Sequence, residues 1–178
     1  YALEKSLDKY EYFWLCEPDV YFCNKDSTQF FKAFEKIESD CLILRYGKAA
    51  PNLAFFHTSK VLDGVPMSCL FPLSRLKKSA INTLFEFRKE LSVSFLNRKF
   101  LPNQYPNDEI FVATTLNRLG LNILKIEDFT SFDTRLYTAD QNEAMTIEEA
   151  EKITGEFIVH PVLENSVYME KKINNFKG

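Results

Sequence analysis

The sequence predicts an α/β fold in which a mixed, mainly parallel sheet is flanked by helices. Two observations support this fold class. Short apolar runs typical of buried strands alternate with segments whose apolar residues recur at helical spacing. The chain has 178 residues, 46% of them hydrophobic, which is enough to enclose a core. We therefore expect residues 1–178 to form a single domain, with an aromatic loop at about 46–73.

The first predicted strand carries an unusual acidic pattern. An aromatic and apolar run over residues 12–22 is interrupted by Glu17 and Asp19. Residues two apart in a strand lie about 6–7 Å apart along the backbone and point to the same side. The two carboxylates can therefore face a common point. Pro18 cannot donate to a sheet ladder, which places both acids at the rim of a sheet. Such oxygens suit a hard divalent cation, but an acidic turn after a strand explains the pattern equally well.

The next elements follow in strand–helix–strand order. Ser27 fits the N-cap of a helix that runs to about Glu38, and its apolar residues have helical spacing. A short buried strand follows at residues 41–44, and strand–helix–strand units favour parallel pairing. Gly, Pro and aromatic residues then alternate over residues 46–73, which is typical of a binding loop or a poorly ordered one.

Two longer helices are predicted in the middle of the chain. Ser74 fits the cap of a helix from Arg75 to about Leu91. Asn107 fits the cap of another, and Gly120 fits the position just after its end. Residues 121–126 then read as a strand.

The last predicted elements are short. Thr146 and Glu149 form a capping box for a helix through Ile153. Residues 157–159 form a final strand that ends at His160, where the following proline turns the chain.

Composition excludes several classes of protein. The net charge is −3 without a large basic block, so nothing indicates a nucleic-acid partner. No apolar run approaches the ~20 residues that span a bilayer, and no secretory signal is visible, although peripheral contact with a membrane surface stays open. The cysteines lack CxxC spacing and have apolar neighbours, so we expect buried free thiols and a cytoplasmic protein. They are Cys16, Cys23, Cys41 and Cys69.

Three further residues are candidates for chemistry. Asp108 and Glu109 stand at a predicted helix start, where acids favour the helix dipole, but either is also a candidate general base. His160 at a strand end is either structural or a ligand of Mn²⁺ or Mg²⁺ in an oxygen-rich site. His57, in the aromatic loop, could contact a substrate, but it better fits a loop or packing role. The dinucleotide, P-loop, serine-hydrolase and HExxH motifs are absent from the sequence.

Four segments, taken together, resemble the GT-A glycosyltransferases. More specifically, they are similar to bacterial enzymes that build lipopolysaccharide or capsular polysaccharide. The segments occur in the order that the fold expects and cover most of the chain. They are residues 14–20 with the Phe30-Phe31 helix, residues 71–76, residues 107–112 and residues 157–162.

This resemblance implies a Rossmann-like nucleotide-sugar transferase fold and a role for each candidate. Asp19 would bind the divalent cation directly, and Glu17 would bind it or contact the ribose, the sugar or a water. His160 would be the carboxy-terminal metal ligand, and Asp108 or Glu109 the catalytic carboxylate. We therefore expect Glu17, Asp19 and His160 to lie within a few ångströms of one another around Mn²⁺ or Mg²⁺.

The implied activity is that of a metal-dependent, catalytic-type domain. It would move a sugar from a nucleotide-sugar donor to a glycan or glycolipid hydroxyl, in the cytoplasm or at the membrane surface. The sequence departs from the family in having Glu at the first motif position. It also has no counterpart of the amino-terminal half that grips the nucleotide base, so we expect a truncated chain or a smaller enzyme.

Two other classes of function remain open. A non-catalytic carbohydrate- or protein-binding domain would keep a transferase-like core and use its aromatic loop to stack on sugars or on a partner. A metal-dependent phosphoesterase would need more clustered His and Asp ligands than the sequence offers.

Overall fold

A four-stranded mixed sheet is the largest element of the structure, a computed structural model that describes residues 9–23, 26–97 and 99–168. The chain divides into two compact units. The first comprises Tyr1–Leu15 and Glu38–Ile126, and the second comprises Cys16–Ile37 and Glu127–Gly178. The second unit is thus assembled from two segments that are distant in the sequence.

The strands and helices of the described residues are short, apart from two helices and two strands. The strands are β1 (Tyr12–Cys16), β2 (Tyr21–Phe22), β3 (Cys41–Lys48), β4 (Met67–Lys77), β5 (Ile123–Lys125), β6 (Met145–Thr146), β7 (Ile158–Val159) and β8 (Val162–Leu163). The helices are α1 (Thr28–Lys32), α2 (Lys78–Leu96), α3 (Asp108–Arg118) and α4 (Ile147–Ala150). Turns of 3₁₀ helix occupy Phe56–Val61, Pro102–Gln104, Ile126–Asp128 and Gln141–Glu143.

The large sheet has the strand order β1-β4-β3-β5. Strand β3 pairs with β4 in antiparallel orientation and with β5 in parallel orientation. The prediction of a mixed sheet flanked by helices is confirmed, and the ladder between its two longest strands, β3 and β4, is antiparallel. The connection from β3 to β4 contains only a 3₁₀ turn, so the chain folds back to form an antiparallel neighbour.

Strand β4 changes two of the predicted boundaries. It begins at Met67, so the connection after β3 covers residues 49–66 rather than about 46–73. It ends at Lys77, so helix α2 begins at Lys78 rather than at Arg75. Pro72 lies between two parts of the β3–β4 ladder that differ in register, and such an irregularity accommodates a residue that cannot donate a ladder hydrogen bond.

Helix α3 forms the centre of the first unit's core, and its predicted ends are confirmed. The Asn107 side chain caps the helix by accepting a 3.1 Å hydrogen bond from the Ile110 amide. Gly120 follows the helix with a φ of +65°, a conformation that glycine adopts without steric cost. Four apolar side chains of the helix are buried in one cluster with residues of β3, β4 and α2; they are Phe111, Val112, Ala113 and Leu116.

The second unit is built from short strand pairs. Strand β2 pairs with β7 in antiparallel orientation, and β6 pairs with β8 in parallel orientation. Thr146 and Glu149 form the predicted capping box, although α4 ends at Ala150 rather than at Ile153. Helix α1 is also shorter than predicted. Aromatic rings pack together in this unit; they belong to Phe22, Phe30, Phe31, Phe34 and Phe132.

The four cysteines are free thiols, as predicted, but not all are buried. Cys41 and Cys69 lie in the core of the first unit, where burial raises the pKa of both thiols. Cys16 is exposed and Cys23 is half-buried. No helix of the described ranges has the length and apolar character needed to cross a membrane.

Candidate metal centre

The acidic motif lies in a tight turn between β1 and β2. The Val20 amide donates to the Glu17 carbonyl at 3.1 Å, which closes a four-residue turn around Pro18. The carbonyl of Asp19 accepts a 2.8 Å hydrogen bond from the Val162 amide at the start of β8. The backbone of Asp19 is therefore fixed to the strand that follows His160 in the sequence.

His160 is held by backbone contacts on both sides. It lies between β7 and β8 and is only 5% exposed. Its amide donates to the Leu136 carbonyl at 3.1 Å, and its carbonyl accepts from the Thr138 amide at 3.0 Å. The peptide bond to Pro161 is cis. The main chain of His160 is thus bonded to residues on either side of Tyr137.

The structure brings Glu17, Asp19 and His160 together. One ligand atom from each side chain lies within 4.8 Å of the others. Nε2 of His160 is 3.6 Å from Oδ1 of Asp19. Glu17 is exposed, Asp19 is partly buried and His160 is buried, so the cluster is enclosed on the imidazole side and open on the Glu17 side.

The hydrogen bonding of the ring determines what Nε2 can do. Nδ1 of His160 lies 2.6 Å from the Thr138 carbonyl oxygen. A carbonyl oxygen can only accept, so Nδ1 carries the proton and Nε2 of the neutral ring presents its lone pair. A metal-binding histidine characteristically donates its other ring N–H to a carbonyl or carboxylate in this way.

One oxygen of the Asp19 carboxylate, next to Nε2 of His160, is an acceptor without a hydrogen bond. Its Oδ1 atom is buried and has no hydrogen-bond partner within the part of the chain that the structure describes. A buried acceptor of this kind is costly. Oδ1 and a neutral Nε2 are both acceptors and repel each other at 3.6 Å, unless a proton or a cation lies between them. The donor set therefore fits a cation.

The spacing of these atoms is compatible with a six-coordinate divalent ion. Metal–ligand bonds of about 2.1 Å place ligands roughly 3 Å apart when adjacent and about 4 Å apart when opposite. The 3.6 Å between Nε2 of His160 and Oδ1 of Asp19 falls within this range, and one ligand atom from each of the three residues lies within 4.8 Å of the others. Two carboxylates and one imidazole suit Mn²⁺, and carboxylates with water suit Mg²⁺.

Comparison with protein-family models, curated proteins and solved structures finds no match for this chain. Functional inference therefore depends on the chemistry of the site.

Cys16 reports the negative potential beside the cluster. Partial burial raises the pKa of its thiol, and the charges of Asp19 and Glu17 raise it further. Because a thiolate would be a third negative charge in this region, the protonated thiol is favoured.

Asp108 and Glu109 lie in the first unit, whereas the cluster is formed by residues of the second. Asp108 forms an ion pair with Arg88. Glu109 accepts a 3.2 Å hydrogen bond from Nδ2 of Asn107. Both acids stand in the first turn of α3, where they favour the helix dipole.

His57 has a contact that fits its predicted packing role. Its Nε2 atom lies 3.1 Å from the Asn103 carbonyl oxygen. Both residues belong to the first unit, whereas the residues of the cluster belong to the second.

Sequence reasoning missed Leu136, Tyr137 and Thr138, which contact His160. They lie in a stretch without regular periodicity, and their bonds to His160 span more than twenty residues. The signal available in the sequence was the apolar pair Leu136-Tyr137 within an otherwise polar segment. Such a pair indicates a buried tyrosine, whose ring packs against other residues of the fold.

Proposed function

We propose that this protein is a metal-dependent glycosyltransferase, which moves a sugar from a nucleotide-sugar donor to a glycan or glycolipid hydroxyl. The observation that carries the proposal is the convergence of the neighbouring acids Glu17 and Asp19 with His160, which lies far from them in the sequence. The same residues carry the sequence resemblance to the GT-A enzymes. A glycolipid acceptor would place the activity at the cytoplasmic surface of a membrane.

Each member of the cluster has a distinct part in this proposal. Asp19 and His160, which are the more buried, would hold Mn²⁺ or Mg²⁺, and Glu17, which is exposed, would complete the site or orient the donor through water. The bound cation would supply charge neutralisation for the departing nucleotide diphosphate. Thr138 keeps the proton of His160 on Nδ1, so Nε2 stays available.

The proposal also includes a carboxylate that accepts the proton of the acceptor hydroxyl. The resemblance assigns this role to Asp108 or Glu109. To bind the acceptor hydroxyl, Asp108 would have to give up its ion pair with Arg88. Glu109 would have to give up its hydrogen bond from Asn107. Separate Asp108→Asn and Glu109→Gln variants test which of them, if either, supports turnover.

Donor turnover tests the proposal directly. Purified protein is incubated with a panel of nucleotide sugars and Mn²⁺, and release of the nucleoside diphosphate is measured. We expect turnover with at least one donor, its loss in Asp19→Ala and its retention in Glu151→Gln. Glu151 is an exposed acid of the same unit outside the cluster, so it controls for the loss of a negative charge.

An exposed aromatic side chain favours the alternative of a non-catalytic carbohydrate- or protein-binding domain. Phe55 is 47% exposed in the connection between β3 and β4, where a ring can stack on a sugar. Binding of a glycan without turnover of any donor, together with loss of binding in Phe55→Ala, would support this alternative. Metal-dependent donor turnover would exclude it.

A further inference from the structure

We infer that Tyr137 and Thr138 are positioning residues, which orient the imidazole of His160 so that Nε2 faces the Asp19 carboxylate. The inference rests on the proposed role of His160 as a metal ligand. It assigns a function to a segment that carries no metal-binding side chain of its own.

The backbone contacts fix the position of the His160 main chain, from which the imidazole projects. The Leu136 carbonyl and the Thr138 amide each bond to the main chain of His160, at 3.1 and 3.0 Å. Residues Tyr137 and His160 form a parallel bridge through these bonds. The Cα of His160 therefore has little freedom to move relative to this segment.

The side-chain contacts fix how the ring is turned. The rings of Tyr137 and His160 are stacked, with centroids 4.9 Å apart and planes inclined by 25°. Tyr137 is only 2% exposed, so its ring is itself held by packing. The bond from Nδ1 to the Thr138 carbonyl then selects one of the two ring orientations that stacking permits. Together these contacts specify both the plane of the imidazole and the direction of Nε2.

Such an arrangement affects metal binding through preorganisation. A ligand that is already aimed loses little rotational freedom when the ion binds. Partners that orient a metal-ligating histidine typically change metal affinity by ~10–100-fold when they are removed.

A purely structural role for Tyr137 predicts a different result, so a matched control is needed. Phe132 is a buried aromatic residue of the same unit, 5% exposed, whose ring packs against Phe22 and Phe30 rather than His160. Tyr137→Leu and Phe132→Leu each remove one buried ring, but only Tyr137→Leu removes the stack on His160. Tyr137→Phe keeps the stack and serves as the conservative variant.

The affinity of the full chain for Mn²⁺ is measured by electron paramagnetic resonance titration. We expect Tyr137→Leu to weaken binding by ~10–100-fold. Tyr137→Phe and Phe132→Leu should stay close to the wild-type affinity. Equal affinities in Tyr137→Leu and Phe132→Leu would overturn this inference and leave the proposed function standing. A wild-type chain that binds no Mn²⁺ would overturn both.

A second measurement needs no variant of Tyr137 to fold. The ¹⁵N chemical shifts of the imidazole report which ring nitrogen carries a proton. The chain has only two histidines, so a His57→Gln variant leaves the His160 signals alone. We expect a proton on Nδ1 of His160 in metal-free protein; an unprotonated Nδ1 would overturn the inference.

Discussion

Nε2 of His160 lies 3.6 Å from Oδ1 of Asp19, while Nδ1 of the same ring is bonded to the Thr138 carbonyl. Nε2 therefore faces a buried carboxylate oxygen that has no hydrogen-bond partner among the described residues. A cation between the two atoms would satisfy both. The relationship connects residues 141 positions apart in the sequence, so it is a property of the fold rather than of a local motif.

Mn²⁺ should stabilise the folded chain if it binds this cluster. Ligand that binds only the folded state raises the free energy of unfolding by about 2.7 kcal/mol at one hundred times its dissociation constant. We therefore expect the melting temperature, measured by differential scanning calorimetry, to rise with added Mn²⁺ and to fall again with EDTA. Asp19→Asn should lose the response and Glu151→Gln should keep it; an equal response in both variants would contradict the assignment.

Arg88 should contribute more to stability than its neighbour on the same helix. Its guanidinium lies over the Phe111 ring at 3.6 Å, donates to the Pro106 carbonyl at 2.9 Å and pairs with Asp108. We expect Arg88→Ala to lower the free energy of unfolding by about 1–3 kcal/mol in urea titrations.

Lys89 provides the control for that measurement. Its ion pair with Glu86 is exposed on both sides, so Lys89→Ala should cost less than about 0.5 kcal/mol. Similar losses in the two variants would show that the stacking on Phe111 and the bond to Pro106 add little.

Stability should fall in alkali because of a buried thiol. Burial raises the pKa of Cys41 from 9.0 to about 12. As the pH rises above about 9 the unfolded chain releases this proton while the folded chain keeps it, so stability falls until about pH 12. The slope for one such group is at most about 1.4 kcal/mol per pH unit.

Cys41→Ala separates this contribution from other alkaline titrations. The free energy of unfolding of the variant should decline less steeply with pH over that window, in urea titrations at several pH values. Slopes that are the same in the variant and the wild type would refute the role of Cys41.

The parts of the fold that were predicted correctly depend on local chemistry. Asn107 and Gly120 mark the ends of α3 because capping involves only neighbouring residues, and the Thr146–Glu149 box is equally local. Glu17 and Asp19 are also close, but the turn around Pro18 brings them together rather than the strand alternation from which their proximity was predicted. The resemblance supplied His160 as their partner.

The predictions failed where contacts between residues distant in the sequence determine the structure. Strand β4 was missed because Pro72 reads as a breaker, yet its ladder with β3 changes register there. The bonds that hold His160 come from Leu136 and Thr138, and no pattern of spacing indicates which residues will meet across such a separation. Propensity and periodicity describe one segment of the chain at a time, whereas the β3–β4 ladder and the bonds to His160 each form between two separate segments.

The exposed thiol beside the cluster should report occupancy of the site by a cation. The charges of Asp19 and Glu17 help to raise the pKa of Cys16, so a cation that neutralises them should lower that pKa and increase the fraction of thiolate. We expect Mn²⁺ to accelerate the alkylation of Cys16 by iodoacetamide several-fold near pH 8, measured by mass spectrometry of the labelled peptide.

Cys23 is the internal control for this experiment. It belongs to the same unit and is half-buried, and burial raises the pKa of its thiol. Its alkylation rate should change little with Mn²⁺. Asp19→Asn should speed the labelling of Cys16 without metal and remove the response to Mn²⁺, because one charge is already gone and the ligand with it. Equal acceleration of Cys16 and Cys23 would mean that Mn²⁺ acts on the unit as a whole and not at this cluster.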